Sequence, residues 1–195
     1  MTETELAAVL RTWLSQDKHR MRVLELAQQC AQVHSLPQWC LAAGFVRNLV
    51  WDKLHDIQQR PLNDIDLIYY CPLDTRPERD RAIEAYLQTL APELPWSVKN
   101  QARMHLKNHD NPYQSTQDAM SYWPEQETAV AVYLAPMPSP STSVIDSLQL
   151  IAPFGLTSLF ALQLTHNPKR ALAVFEQRLA AKGWFSQYPR LTLAE

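Results

Sequence analysis

Two aspartates, Asp64 and Asp66, are separated by one residue in the run Asn63-Asp64-Ile65-Asp66-Leu67. On a β-strand alternate side chains share a face, so both carboxylates would lie together while Ile65 and Leu67 face the core. Neighbouring carboxylates repel each other, and one pKa rises unless a cation lies between them. Mg²⁺ or Mn²⁺ is such a cation, and Mg²⁺ is typically held by one or two carboxylates plus substrate phosphates. The pair therefore predicts a catalytic metal site, although two solvated aspartates at a strand start would show the same spacing.

A second feature, the stretch AGFVRN at residues 43–48, ends 16 residues before Asp64. A glycine between a predicted strand and a predicted helix allows the backbone to approach a phosphate, and the N-terminus of the helix offers unpaired N–H groups. Arginine in a first helical turn opposes the helix dipole, so Arg47 either pairs with an anion or is an exposed or core-covering side chain. The predicted nucleotide-binding and phosphate-binding residues are Gly44, Phe45, Arg47, Asn48 and Asn63.

Hydrophobic periodicity and turn residues predict the elements that must position these residues. Helices are predicted over 4–34, 45–55, 76–90 (capped by Asp74 or Thr75), 116–122 and from Asn167-Pro168 to about Lys182. Strands are predicted over 39–43, 64–70, 95–106, 128–134 and 147–151, and the segment 135–146 is predicted to be an exposed hairpin tip or a mobile loop. This order indicates an α/β (α+β) fold, a mixed sheet with flanking helices. We predict one domain over 1–195, with N-terminal helices over 1–36 and a mixed-sheet core with a C-terminal helix over 37–195.

Composition narrows the functional classes. The chain has 195 residues, of which 46% are hydrophobic and 19% charged, so it has enough apolar residues for a core and is not a disordered segment. Its net charge of -2 lacks the basic signature typical of a nucleic-acid-binding domain. The acidic, charge-interrupted N-terminus is not a signal peptide, and no apolar run is long enough to span a membrane. Three cysteines without a CxxC motif indicate reduced thiols in a cytoplasmic protein.

The stretches AGFVRN and NDIDL together resemble the polymerase-β-like nucleotidyltransferase superfamily. The first is similar to the GGxVRD element of tRNA-nucleotidyltransferase and poly(A)-polymerase head domains. Over residues 38–190 the chain resembles a bacterial family of nucleotidyltransferase-like proteins, through WCLAAGFVRNLVWDKLH, PLNDIDLIYY, PWSVKNQARMHL, the PYQS and WPE segments, and APFGL. The resemblance implies the minimal nucleotidyltransferase fold, but it does not supply a substrate.

The chain departs from the superfamily pattern in two places. It has Gly44-Phe45 where Gly-Gly or Gly-Ser is usual, so a phosphate-binding hydroxyl is missing. The superfamily also uses a third carboxylate on a later strand, and the expected strand, 96–105, contains no Asp or Glu. Its possible substitutes are Asn100, Arg103 and His105.

Two functional hypotheses follow. The first is a metal-dependent nucleotidyltransferase that transfers a nucleoside monophosphate from an NTP to a hydroxyl of RNA, a small molecule or a protein. The second is a catalytically impaired nucleotide-binding or regulatory domain of the same fold, which the missing carboxylate favours. A third and weaker hypothesis is an antitoxin-like partner that modifies another protein.

Overall fold

The structure is a computed structural model that describes residues 1–58, 60–136 and 143–194. Its helices are α1 (Glu3–Gln16), α2 (Lys18–Val33), α3 (Gly44–Leu54), α4 (Pro77–Leu90), α5 (Met104–Asn108), α6 (Thr116–Met120), α7 (Val144–Ser147), α8 (Thr157–Phe160), α9 (Leu172–Lys182) and α10 (Trp184–Gln187). Its strands are β1 (Cys40–Ala42), β2 (Ile65–Tyr69), β3 (Trp96–Asn100), β4 (Ala131–Leu134), β5 (Leu148–Ile151), β6 (Gln163–Leu164) and β7 (Thr192–Leu193). Short 3₁₀ turns cover Gln101–Arg103 and Gln126–Thr128.

The main sheet is mixed, with the strand order β3-β2-β1-β4-β5. Strands β2 and β3 are parallel, and the other neighbouring pairs are antiparallel. One face carries Leu41, Leu67 and Val98 into the main core, which the N-terminal helices and α3 and α4 cover. The opposite face carries a smaller cluster that includes Ala42 and Ile68. Because Asp66 pairs with Ala42 across β1 and β2, its side chain belongs to this second, less covered face.

The predicted helical run 4–34 is two helices, because Asp17 ends α1 and begins α2. Its carboxylate accepts hydrogen bonds from the backbone N–H groups of His19 and Arg20, as expected of an N-cap aspartate. The Arg20 guanidinium lies 2.6 Å from the same carboxylate and donates to the carbonyl oxygen of Phe45 at 2.9 Å. The break in the helix therefore places a buried arginine that holds the start of α3.

The predicted strand over 95–106 was too long, since β3 ends at Asn100. The Asn100 side chain accepts a hydrogen bond from the N–H of Ala102, which turns the chain into the 3₁₀ segment and then α5. Arg103 and His105, which were predicted to lie on this strand, therefore lie beyond its end and do not continue its alternation of faces.

Three other predicted boundaries shift. Helix α4 begins after Arg76, whose side chain makes no cap, rather than after a capping Asp74 or Thr75. The last long helix begins at Leu172, because Asn167 uses its side chain to hold the backbone of Ser121 and Trp123. Strand β4 begins at Ala131 after the 3₁₀ turn. Of the predicted hairpin tip, residues 137–142 lie outside the described residues.

Across the described residues, the structure contains no helix of the length and hydrophobicity needed to cross a bilayer. The three cysteines, Cys30, Cys40 and Cys71, are buried and form no disulfide.

Gly155 precedes α8 with a φ of +76°, a conformation that L side chains adopt at a cost. The Glu3 carboxylate caps α8 by accepting from the N–H groups of Leu156 and Thr157, at 2.8 and 3.0 Å. A Cβ on Gly155 would lie 2.9 Å from that carboxylate. We therefore expect Gly155→Ala to lower the free energy of unfolding by about 2–3 kcal/mol, through backbone strain and displacement of the cap.

Chemical denaturation measures this effect, and Gly183→Ala is the matched control. Gly183 has a similar φ of +60° but nothing within 4 Å of the added carbon, so only the backbone cost of about 1 kcal/mol remains. Equal losses in the two variants would contradict the steric part of the explanation.

Candidate active site

Asp64 and Asp66 lie at the start of β2. Asp64 is exposed directly before the strand, and Asp66 is half-buried within it, paired with Ala42 on β1 and Ser97 on β3. Burial, with the nearby Asp64 charge, raises the pKa of Asp66 to about 6 from an ordinary 3.8. Two carboxylates on this side of the sheet thus carry the electrostatic conflict that a bound cation relieves.

The turn before α3 presents backbone donors to the same region. Gly44 is the first residue of α3, and neither its N–H nor that of Phe45 has an acceptor among the described residues. A Cβ on Gly44 would lie 3.3 Å from the side-chain nitrogen of Asn48, so a larger residue would crowd the turn. The first turn of α3 therefore has the form of an anion-binding helix N-terminus.

The strained residue of this turn is Ala43 rather than Gly44. Ala43 has φ 56° and ψ -122°, a region that favours glycine. We expect Ala43→Gly to raise the free energy of unfolding by about 1 kcal/mol, because relief of strain exceeds the added entropy of the unfolded chain. Thermal unfolding checks this, and a destabilised Ala43→Gly would show that the turn is not strained.

Arg47 is buried and pairs with neutral groups. Its guanidinium donates to the Thr128 hydroxyl at 2.8 Å and to the Asn48 side-chain oxygen at 2.9 Å. It also lies 4.8 Å from the ring centroid of Trp51 and 4.5 Å from that of Trp184. Burial lowers the pKa of Arg47 to about 10, and no carboxylate among the described residues forms an ion pair with it. The charges of Glu125 and Asp66 offset part of this lowering, but a buried cation without a direct ion pair is costly, so an anion in the adjoining cavity would be bound favourably.

A cavity of about 400 Å³ joins these elements, and we call it the carboxylate cavity. It brings together most of the predicted site, namely Gly44, Arg47, Asn48, Asn63, Asp64 and Asp66. The C-terminal helices close it with Arg178, Lys182, Trp184, Gln187 and Tyr188. Two carboxylates, a helix N-terminus and three cationic side chains thus share one space, as recognition of a metal-bound phosphate requires.

Helix α9 is held over this cavity by an ion pair with a buried carboxylate. The guanidinium of Arg178 donates to both oxygens of Glu125, at 2.5 and 3.2 Å. The Glu125 side chain is 0% exposed, whereas that of Arg178 is 36% exposed. One turn later, exposed Lys182 lies close enough to offset part of the pKa rise of Asp66. The pair fixes α9 so that its cations face Asp64 and Asp66.

Phe45 does not line the carboxylate cavity or a second cavity beside it, which is described below. Neither do the three possible substitutes for a third carboxylate, Asn100, Arg103 and His105. The Phe45 side chain is fully buried in the main core, so only its backbone faces the turn. Asn100 is fully buried, and its side chain holds the backbone of Cys71 and Asp74. Arg103 forms an ion pair with Asp80. The His105 ring packs edge-on against Tyr113, with the ring centroids 6.0 Å apart.

Sequence reasoning missed Arg178 and Lys182, and it missed Glu125 and Thr128. The first two are four residues apart, so they share a helix face, and this spacing was a usable signal. Thr128 lies in a 3₁₀ turn and Glu125 directly precedes it, and no local pattern indicates that this turn lies beside α3.

A second cavity, of about 290 Å³, adjoins the first, and we call it the lysine cavity. The two share Ala43, Asp66, Thr128 and Arg178. Its remaining lining includes Lys99, Gln101, Lys107, Asn108, Tyr113 and Trp123. Asp66 therefore lies where the two spaces meet.

The donor set suits a hard cation. Within the described residues no three His, Cys, Asp or Glu side chains cluster as a complete metal site. Two carboxylates with a raised pKa at Asp66 fit an ion such as Mg²⁺ or Mn²⁺, whose other ligands would come from substrate phosphates and water.

Comparisons with known proteins show the family and the fold of the chain. The model of a protein family described as "Nucleotidyltransferase" matches residues 29–193. A search of curated proteins finds no match. A solved structure described as revealing a CCA-adding enzyme head domain is similar, with a TM-score of 0.79 and 27% identity. That match covers 95% of this chain and 94% of the other.

Two further structures share the fold at lower identity. A CCA-adding enzyme in an apo form has a TM-score of 0.62 and 14% identity, over 94% of this chain and 42% of the enzyme. A CCA-adding enzyme in complex with CTP has a TM-score of 0.57 and 14% identity, over 100% of this chain and 44% of the enzyme. The chain thus spans less than half the length of these two enzymes. The similar head-domain structure confirms the predicted fold class.

Proposed function

The protein belongs to the nucleotidyltransferase family, and we propose that it transfers a nucleoside monophosphate from an NTP to an acceptor hydroxyl. We propose that Asp64 and Asp66 hold Mg²⁺ or Mn²⁺ for this reaction. The observation that carries the proposal is the carboxylate cavity, where this pair lies with the α3 N-terminus and the cations of α9.

In the proposed reaction, the acceptor oxygen forms a bond to the α-phosphorus, and the bond from that phosphorus to the pyrophosphate oxygen breaks. The hydroxyl proton passes to a carboxylate of the pair or to water. A metal ion at Asp64 and Asp66 supplies neutralisation of phosphate charge and orientation of the transferred group.

The remaining residues of the carboxylate cavity suit different phosphate groups of the NTP. The unpaired N–H groups at Gly44 and Phe45 suit phosphate oxygens. Arg178 and Lys182 suit the pyrophosphate as it leaves, because charge develops on it in the transition state. Arg47 sets the turn through Asn48 and adds positive charge behind it.

We further propose that residues 1–195 form one domain and that it functions in the cytoplasm. Helices α1 and α2 share the main core with the sheet, and the three buried cysteines are unpaired. Both observations fit the proposal.

The alternative is a nucleotide-binding domain without turnover. It is favoured by β3, which carries Lys99 rather than a third carboxylate on the face of Asp66. This alternative predicts NTP binding with no pyrophosphate release.

One screen separates the two functions. The full chain is incubated with each NTP, with Mg²⁺ or Mn²⁺ and with RNA, small hydroxyl compounds or protein as the acceptor, while pyrophosphate is measured and products are analysed by mass spectrometry. We expect pyrophosphate release that is lost in Asp64→Asn/Asp66→Asn and kept in the exposed control Asp146→Asn. Nucleotide binding without release under every condition would instead support the impaired domain.

A further inference from the structure

The proposed binding of the NTP assigns no role to the residues that line only the lysine cavity. It adjoins Asp66 on the side away from α10, over β2 and β3. Apart from Asp66, no carboxylate is among its lining residues. Lys99 and Lys107 therefore give it a net positive charge beyond the reacting centre.

Both lysines are exposed and neither forms an ion pair among the described residues, although the charge of Lys99 also acts on Asp66. The ammonium of Lys99 donates only to the carbonyl oxygen of Val98, at 3.1 Å. Within the described part of the chain, Lys107 makes no side-chain hydrogen bond or ion pair. Two ammonium groups that line one cavity and form no ion pair attract an anionic ligand.

Lys99 is placed by the sheet. In the parallel pairing of β2 and β3, Ser97 lies opposite Asp66 and Lys99 lies opposite Ile68. The side chain of Lys99 therefore lies on the same face of the sheet as that of Asp66, two residues farther along the strand direction. An anion held there would lie beside the reacting centre rather than in it.

Hydrogen bonds hold in place the wall of the lysine cavity that contains Tyr113. Tyr113 is 3% exposed and donates its hydroxyl hydrogen bond to Asp110. Asp110 in turn accepts two hydrogen bonds from Arg170, at 2.8 and 2.5 Å. Trp123 adds an aromatic surface to the lining. Such a wall selects a ligand by size as well as by charge.

From this arrangement we infer that the lysine cavity binds the acceptor, a small hydroxyl compound that carries a phosphate or carboxylate group. Its anionic group lies at Lys99 and Lys107, and its hydroxyl points to the boundary at Asp66. This inference rests on the proposed function, because it names the acceptor of the same reaction.

Size and charge favour a small acceptor over a nucleic acid. The cavity of about 290 Å³ is close to the lower limit of small-molecule sites. The chain has 18 Lys and Arg against 20 Asp and Glu, and two lysines do not make the extended basic track that a strand of RNA requires.

Transfer tests the inference with matched acceptors. The full chain with Mg²⁺ and each NTP receives glycerol 3-phosphate or glycerol, ribose 5-phosphate or ribose, glycerate, or an RNA oligonucleotide with a free 3′ hydroxyl. We expect nucleotidyl adducts with anionic small acceptors at a rate at least tenfold above their neutral counterparts. We expect Lys99→Met/Lys107→Met to lower kcat/KM for those acceptors at least tenfold, and the exposed control Lys18→Met to leave it unchanged. Preference for RNA or for the neutral compounds would overturn the inference while the proposed function stands.

A binding measurement keeps the two failures distinguishable. Inorganic phosphate is titrated into the protein saturated with Mg²⁺ and a non-hydrolysable NTP, with the Trp123 indole N–H signal followed by NMR and assigned with Trp123→Phe. We expect a saturable shift that weakens at least tenfold in Lys99→Met/Lys107→Met. Saturable binding without any transfer would sink the proposed function alone, whereas no lysine-dependent binding would sink the inference.

Discussion

Asp66→Asn is expected to lower the rate of pyrophosphate release more than a thousandfold and, at the same time, to make the protein more stable. The activity falls because a neutral amide is a poor ligand for a hard divalent cation. The stability rises because burial and the neighbouring charge of Asp64 disfavour the ionised form of Asp66. A residue retained at the expense of stability is typical of a functional site.

The size of the gain follows from the raised pKa. A shift of about two pKa units is worth at most about 3 kcal/mol, and contact of this half-buried side chain with solvent reduces that to about 1–2 kcal/mol. At about 2–4 °C per kcal/mol, the melting temperature should rise by roughly 2–8 °C.

The gain depends on pH in a defined direction. Between about pH 4 and 6 the folded state keeps a proton on Asp66 that the unfolded state has lost, so the stability of the natural protein falls as pH rises. Above about pH 6 the stability lost through ionisation of Asp66 has reached its full value, and below about pH 4 no stability is lost. Thermal unfolding of both proteins at pH 3.5 and 7.5, without divalent cations, should show the difference only at the higher pH.

Two outcomes would contradict this explanation. Equal melting temperatures at pH 7.5 would show that the carboxylate is not destabilised, and full activity in Asp66→Asn would refute its role. Added Mn²⁺ should raise the melting temperature of the natural protein more than that of the variant, because the variant has lost a ligand.

Arg178→Met is expected to lower the free energy of unfolding by about 2–3 kcal/mol, because it leaves the carboxylate of Glu125 fully buried without its partner. It should also lower transfer activity, since Arg178 lines both cavities. Urea denaturation and the pyrophosphate assay measure the two effects.

The chain supplies a matched control in Arg81→Met. Arg81 and Glu78 are joined at 2.5 Å, the same distance as Arg178 and Glu125, but their side chains are 68% and 66% exposed. Loss of an exposed pair costs less than about 1 kcal/mol. If both variants lose the same stability, burial of Glu125 is not the cause.

A double variant separates the ion pair from packing. Replacing Glu125 by Gln in the Arg178→Met background removes the unpaired charge, so part of the lost stability should return. Transfer activity should stay low, because the cation beside Asp66 is still missing. Recovery of activity in the double variant would assign Arg178 a structural role only.

The parts of the molecule that local patterns encode were predicted well from the sequence. The strand around Asp66, the turn at Gly44 and the helix after it depend on residues within about ten positions of each other. The predicted polymerase-β-like resemblance, which rests on the same two stretches, is confirmed by the family match and by the similar head-domain structure.

Contacts between distant segments account for what the sequence did not reveal. Arg178 reaches Glu125 across 53 residues, and Arg47 reaches Thr128 across 81, so no local pattern indicates that they meet. The end of β3 was not predicted, because the residues up to Asn100 have a pattern typical of a strand. The turn that follows depends on the hydrogen bond from the N–H of Ala102 to the side chain of Asn100. The strain at Ala43 has no signature in composition, since alanine is common in both helices and strands.

The contact between Glu3 and α8 has a consequence for how the chain is made. The acceptor atoms are on the third residue, and the N–H groups they cap belong to residues 156 and 157. During synthesis α2 and α3 can pack against α1 soon after they emerge from the ribosome, whereas the first N–H group that Glu3 caps is made 153 residues after Glu3. Contacts of such large separation slow folding and expose apolar surface to aggregation. We therefore expect the yield of native protein to depend on translation rate and chaperones more than its equilibrium stability suggests.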